Sequence, residues 1–187
     1  MPRELRRQPT EDGQMRIGQT MKMARILGLG MILLISSAPT TLQAQDLASR
    51  VQHLEDIEEI RNVLLDYGRF LDSRDFEAYS QLFAEDGEWI GGFGTVKGPE
   101  AIHEFMVDAI PGPNSGNTYH LLSNFVIEVD GDNASAWSRW AFVTGGTNDR
   151  PALAQGGQYD DILIREDGRW KFMRREAVLD IPVSGLP

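Results

Sequence analysis

The chain has 187 residues, no cysteine and a formal net charge of −10. Without cysteine, disulfides, zinc–thiolate sites and thiol nucleophiles are excluded, and the acidic balance argues against nucleic acid or an anionic membrane as the main partner. The length suits one domain with a proper hydrophobic core.

Residues 1–44 read as an address ahead of the fold. Lys22 and Arg25 lead into the apolar run Ile26 to Ile35, which gives way to small and polar residues ending at Ala44. This is the order of a secretory signal peptide, with cleavage expected after Ala44. The apolar run is too short for an ordinary transmembrane helix. No cysteine follows the cleavage site to carry a lipid, so no stable membrane anchor is expected after processing. Translation from Met21 or Met23 fits the same pattern; the alternative reading is an uncleaved N-terminal anchor. Six Lys/Arg against three Asp/Glu give residues 1–44 a local +3, which leaves residues 45–187 at −13. The expectation is an exported, periplasmic protein with a single domain over 45–187.

Asp46 to Leu71 has the spacing of one long amphipathic helix, with Leu47, Val51, Leu54, Ile57, Ile60, Leu64, Tyr67 and Leu71 on one stripe. His53 falls among charges and reads as solvated. Asp75 is placed to cap a second helix that carries Phe76, Tyr79, Leu82 and Phe83 inward and ends at Asp86-Gly87. Glu88 to Val96, with three glycines among Trp, Ile, Phe, Thr and Val, predicts a short hairpin. Pro99 opens a third helix to about Ala109, with His103 on its polar side.

Beyond the Pro111 to Gly116 loop the period changes to two. Strands are predicted over Tyr119 to Val129, Ala134 to Thr144, Gln158 to Arg165 and Arg169 to Leu179. The polar stretch Gly145 to Gly156 reads as a loop long enough to act as a mouth or lid. Helices gathered first and antiparallel strands afterwards predict an α+β domain: a curved, mostly antiparallel, cone-shaped sheet covered by three N-terminal helices, with a pocket inside.

Asp72 stands where the first helix gives out, and a carboxylate at the inner end of a buried helix needs a partner. It either bonds backbone amides or orients a histidine. His120 opens a strand whose even residues, His120, Leu122, Asn124 and Val126, share one face, while Leu121, Ser123, Phe125 and Ile127 share the other. Both faces are apolar, so one should be covered by helices and one by another subunit. A carboxylate on one imidazole nitrogen fixes the tautomer and makes the other a better base. Tyr159 and Asp161 share a strand face and are either site residues or a core tyrosine with its partner. Arg174 and Arg175 point to opposite faces, and a surface salt bridge is the expected fate of the pair. Trp137, Trp140 and Trp170 read as core or subunit contacts. Three dispersed histidines and no cysteine form no recognisable metal shell, and no dinucleotide, P-loop or nucleophile-elbow motif occurs. Cofactor-free acid–base chemistry is what remains, with neither metal nor cofactor expected.

From about Leu54 to Ile181 the chain resembles the SnoaL-like branch of the nuclear transport factor 2-like superfamily. The resemblance rests on Tyr67-Gly-Arg-Phe-Leu-Asp72, the run Asp75 to Asp86, Gly98-Pro-Glu-Ala-Ile102, His120-Leu-Leu-Ser-Asn124 and the hairpin from Gly157-Gln-Tyr159 to Arg175. It implies a cystatin-like α+β barrel with a deep pocket, assembled as dimers or trimers through the sheet. Scytalone dehydratase, bile acid 7α-dehydratase and hexachlorocyclohexane dehydrochlorinase, within this family, are cofactor-free lyases employing an Asp–His pair with a tyrosine or lysine nearby. Tyr67, Asp72 and His120 are similar to those positions.

The expected function is therefore a lyase acting on a hydrophobic, hydroxylated, aromatic or alicyclic small molecule. In this reading His120, oriented by Asp72, takes a proton and Tyr67 donates to the departing oxygen. Asn124 and Arg175 steady developing negative charge, and Tyr159, Asp161 and Trp89 complete the substrate-binding set. The alternatives are a non-catalytic small-ligand-binding module or an isomerase of the ketosteroid type.

Overall fold

The computed structural model describes residues 38–113, 116, 118–145 and 150–181, the side chains of 38–42 excepted. Of the expected signal segment over 1–44, residues 1–37 lie outside the described residues and the remainder is helical. The chain divides into two compact units, residues 1–49 and Arg50–Pro187. The described part of the first is the opening of helix α1 (Ala38–Ser73). No helix among the described residues is long and apolar enough to cross a membrane.

Everything that builds the site belongs to the second unit. There α1 buries Ile60, Leu64, Tyr67 and Leu71 at three- and four-residue spacing. Val51 and Leu54, placed on the same stripe by the sequence, are exposed. The helix stops in a Schellman motif: the Asp75 amide donates to Phe70 O at 3.0 Å and the Arg74 amide to Leu71 O at 3.3 Å. Arg74 takes the left-handed conformation this requires, with φ 64°. Asp75 then serves a second purpose, its Oδ1 accepting from the Ala78 amide at 3.1 Å to cap α2 (Phe76–Ser80).

Here the sequence reading needs correction. The second helix lasts five residues, and Phe83 already belongs to strand β1 (Phe83–Gly91). Asp86-Gly87 lies inside that strand and ends no helix. β1 turns back into β2 (Gly94–Lys97) as the predicted hairpin. Helix α3 (Pro99–Ala109) carries its proline in the first turn and buries Ile102 and Met106.

Four long strands follow: β3 (Thr118–Asp130), β4 (Asn133–Gly145), β5 (Pro151–Glu166) and β6 (Arg169–Ile181). They extend a six-stranded sheet in the order β2-β1-β6-β5-β4-β3. Only the β1–β6 pairing is parallel. The sheet does not close, so the fold is an α+β arrangement on an open, mostly antiparallel sheet. The lid expected over Gly145 to Gly156 is not formed from 151 onward: those residues pair with β4 as strand, and 146–149 lie outside the described residues. The core gathers Tyr79, Phe83 and Phe172, with ring centroids 5.8 and 5.2 Å apart in succession, against Leu64, Ile102 and Leu163.

Two glycines set close approaches. A Cβ on Gly68 of α1 would lie 2.7 Å from Leu122 Cδ1, so the absence of a side chain lets the helix settle onto β3. A Cβ on Gly157 would meet Val178 O at 2.0 Å and the Trp140 indole at 2.9 Å, so β6 and Trp140 approach β5 this closely only over glycine.

Candidate functional site

The Schellman stop fixes Asp72 at the last turn of α1, and Gly68 brings that turn down to the head of β3. The Asp72 carboxylate there spans one residue. Its Oδ2 accepts the His120 backbone amide at 2.8 Å and its Oδ1 lies 2.7 Å from His120 Nδ1. A carboxylate already accepting one N–H takes the second as well, which assigns a proton to Nδ1 and, in the neutral ring, the lone pair to Nε2. The imidazole packs on Phe142, its cross-strand partner, with ring centroids 4.9 Å apart.

His120 lines a cavity of about 380 Å³, within the size range of small-molecule pockets, roughly 300–1,000 Å³. The wall is mostly apolar: Leu71, Trp89, Phe93, Phe105, Met106, Ile110, Trp140, Phe142 and Leu179. Tyr67 and Tyr159 bring hydroxyls, and Arg74 and Gln155 are the other polar contributors. Trp89 Nε1 donates to the Tyr67 hydroxyl at 3.0 Å, which holds that oxygen in place. Among the described residues no group of three or more side chains is arranged to hold a metal ion.

Beneath the two tyrosines is a buried charge. Arg175 is fully buried, its guanidinium carbon 3.8 Å from both the Tyr67 and the Tyr159 ring centroids and 4.5 Å from that of Phe172. Its Nη1 lies 3.6 Å from Asp161 Oδ2, an ion pair between cross-strand neighbours. Neither group makes a hydrogen bond within the described residues. Burial pushes the Asp161 carboxyl up to about 6, against the opposing pull of Arg175. Burial, and then the neighbouring Tyr67, raise the phenols of Tyr79 and Tyr159 well above their ordinary value.

Of the residues singled out in the sequence, Tyr67, His120, Trp89 and Tyr159 meet around the cavity, with Asp72 behind the imidazole. Two expectations are corrected and one is extended. Asn124 does not share the His120 face: β3 and β4 slip register between Ser123 and Val126, Asn124 has φ 55°, and its side chain is exposed. Past this bulge the odd residues Phe125, Ile127 and Val129 pack on the core. Arg175 forms no surface salt bridge, because three aromatic faces and Asp161 enclose it; both charged residues sit behind the cavity wall, not on it. Trp140 packs against the core, as expected, and also lines the cavity. Arg74, Phe142 and Gln155 were missed. Phe142 and Gln155 pair in succession with His120 across β3, β4 and β5, but only after the slip in β3, which no local pattern in the sequence announces.

With this geometry in view, residues 52–176 match the SnoaL-like domain, and the chain belongs to that family. Its fold is the cystatin-like, nuclear transport factor 2-like one. The uncharacterised protein Rv2910c of Mycobacterium tuberculosis is 30% identical over 132 residues, 67% of this chain and 86% of the relative. A nuclear transport factor 2-like protein with a cystatin-like fold from Novosphingobium aromaticivorans superposes with TM-score 0.65 at 31% identity, covering 76% of this chain and 91% of the other. A second protein of that bacterium, provisionally named a scytalone dehydratase, superposes with TM-score 0.56 at 25% identity, covering 72% and 97%.

Proposed function

We propose that this protein is a cofactor-independent lyase for a hydrophobic, hydroxylated ring compound, acting by acid–base elimination. The observation carrying this reading is the Asp72 carboxylate gripping His120 by both Nδ1 and the backbone amide, at 2.7 and 2.8 Å, on the wall of an apolar cavity. His120 Nε2 takes a proton from carbon, the electron pair forms the new double bond, and the carbon–oxygen bond breaks. Tyr67 delivers its proton to the departing oxygen, so the net change is loss of water. The likeness to a protein provisionally named a scytalone dehydratase supports the same class.

The test is turnover of a panel of aryl diols and β-hydroxy ketones by the wild type and His120→Ala, with products weighed by mass spectrometry. Loss of 18 Da, abolished in the variant, supports the lyase. A product of unchanged mass makes the protein an isomerase. Tight binding with no product on any member makes it a binding module.

Two further readings accompany it. We infer self-association, as dimer or trimer, through the outer sheet face, where Tyr119, Leu121, Val126 and Ile162 are exposed; light scattering on the purified domain checks it, and a monomer rejects it. We also infer export, from the Lys22 to Ala44 pattern. Amino-terminal sequencing of protein recovered from the periplasm tests this, and an intact N-terminus on cytoplasmic material ends it.

A further inference from the structure

Among the described cavity-lining residues Arg74 is the one permanent charge, and no Asp or Glu lines the wall. The Schellman stop of α1 places it there, at a left-handed position that ordinarily favours glycine. A guanidinium has five N–H donors. Nη1 donates to Leu71 O at 2.7 Å, which satisfies a carbonyl at the helix end and fixes the group. Nε is buried without an acceptor, and no carboxylate among the described residues pairs with Arg74. A cation held this way in an apolar pocket is weakly screened and attracts an anion strongly.

We propose that Arg74 is a specificity-determining residue that seats a carboxylate on the ligand, making the ligand class a ring-bearing carboxylic acid. Arg74 is two residues beyond Asp72, so the anchored carboxylate sits at the C-terminal end of α1, the end that also holds His120. This deepens the lyase reading and rests on the same cavity, but its test measures binding and not turnover.

Isothermal titration of the folded protein at pH 7.5 compares naphthalene-2-carboxylate with the uncharged naphthalene-2-carboxamide, which share a skeleton. Wild type binds the carboxylate at least about 10-fold more tightly than the amide. Arg74→Gln brings the two within about 2-fold, and Arg74→Lys retains part of the preference; thermal melts of each variant establish that it is folded. Equal binding of both probes by wild type, or binding of neither at millimolar concentration, overturns the anchor. Because the wild-type comparison needs no variant, a misfolded Arg74→Gln cannot mask that result. A clear carboxylate preference without turnover of any hydroxylated substrate sinks the lyase alone; turnover with equal binding sinks the anchor alone.

Discussion

Asp72 holds His120 twice, by its ring nitrogen at 2.7 Å and by its main-chain amide at 2.8 Å, so the imidazole is fixed in both position and tautomer. Asp72→Asn keeps the size of the group but offers a single carbonyl oxygen to two N–H donors. Turnover should fall by about 10²-fold or more, and His120→Ala by about 10²–10⁴-fold, with the melting curve of His120→Ala still cooperative. Steady-state rates and thermal melts check both; an active His120→Ala removes the base from the proposal.

Tyr67→Phe deletes the proton offered to the leaving group and strands the Trp89 indole N–H, which now has that hydroxyl as its acceptor. An unsatisfied buried donor costs about 1–3 kcal/mol. The variant should therefore lose turnover and a few degrees of melting temperature together. Trp89→Phe should remove the stranded donor without removing the acid, and so keep more activity.

Asp161 gives stability an unusual pH slope. Its folded carboxyl is raised to about 6 from an ordinary 3.8, so between those values the unfolded chain has released a proton that the folded chain still holds. The contribution is intact below the ordinary value and is lost as pH rises through about 6, a change on the order of 2–3 kcal/mol. Asp161→Asn should match wild type near pH 4 and exceed it near pH 7, as read by urea midpoints across that range. A variant less stable at pH 7 than at pH 4 by the wild-type amount contradicts this.

Arg175→Ala should destabilise by about 3–5 kcal/mol, through a cavity against three aromatic faces and the loss of the ion pair. Arg175→Lys should recover only part of this, because a compact, strongly hydrated ammonium does not replace the planar guanidinium against the aromatic rings. Denaturant midpoints separate the two; equal stability of lysine and arginine would show that charge alone matters there.

Gly157→Ala should cost about 1–3 kcal/mol and displace Trp140, since the added methyl points at Val178 O. The same change at Gly68 meets only the flexible tip of Leu122 and should be far milder. Fluorescence of the cavity tryptophans and paired melts make the comparison.

Much of this was legible from short-range chemistry. The start of α3 follows from Pro99 at a first-turn position, and the hairpins follow from Gly131 and Gly168 in their turns. The meeting of Asp72 with His120 needed only a carboxylate at a helix end and an imidazole at a strand head. What escaped depended on long-range register. Counted from the Asp130–Asn133 turn, His120 would face Val143; the slip at Ser123 to Val126 gives it Phe142 instead and turns Asn124 outward. The helical spacing of Tyr79, Leu82 and Phe83 was overridden because the Phe172 amide donates to Leu82 O at 2.8 Å, drawing that segment to the sheet edge as strand. Arg175 looked like a surface charge because no local pattern announces three rings converging on it.

The slip in β3 makes one strand serve two masters. Its first stretch, Thr118 to Ser123, turns even-numbered side chains inward, with His120 on the cavity and Leu122 on the core, and its second, from Phe125, turns odd-numbered ones into the packed interior. A single deletion at Asn124 would restore one-to-one pairing with β4 and carry both sets of inward side chains on one continuous alternation.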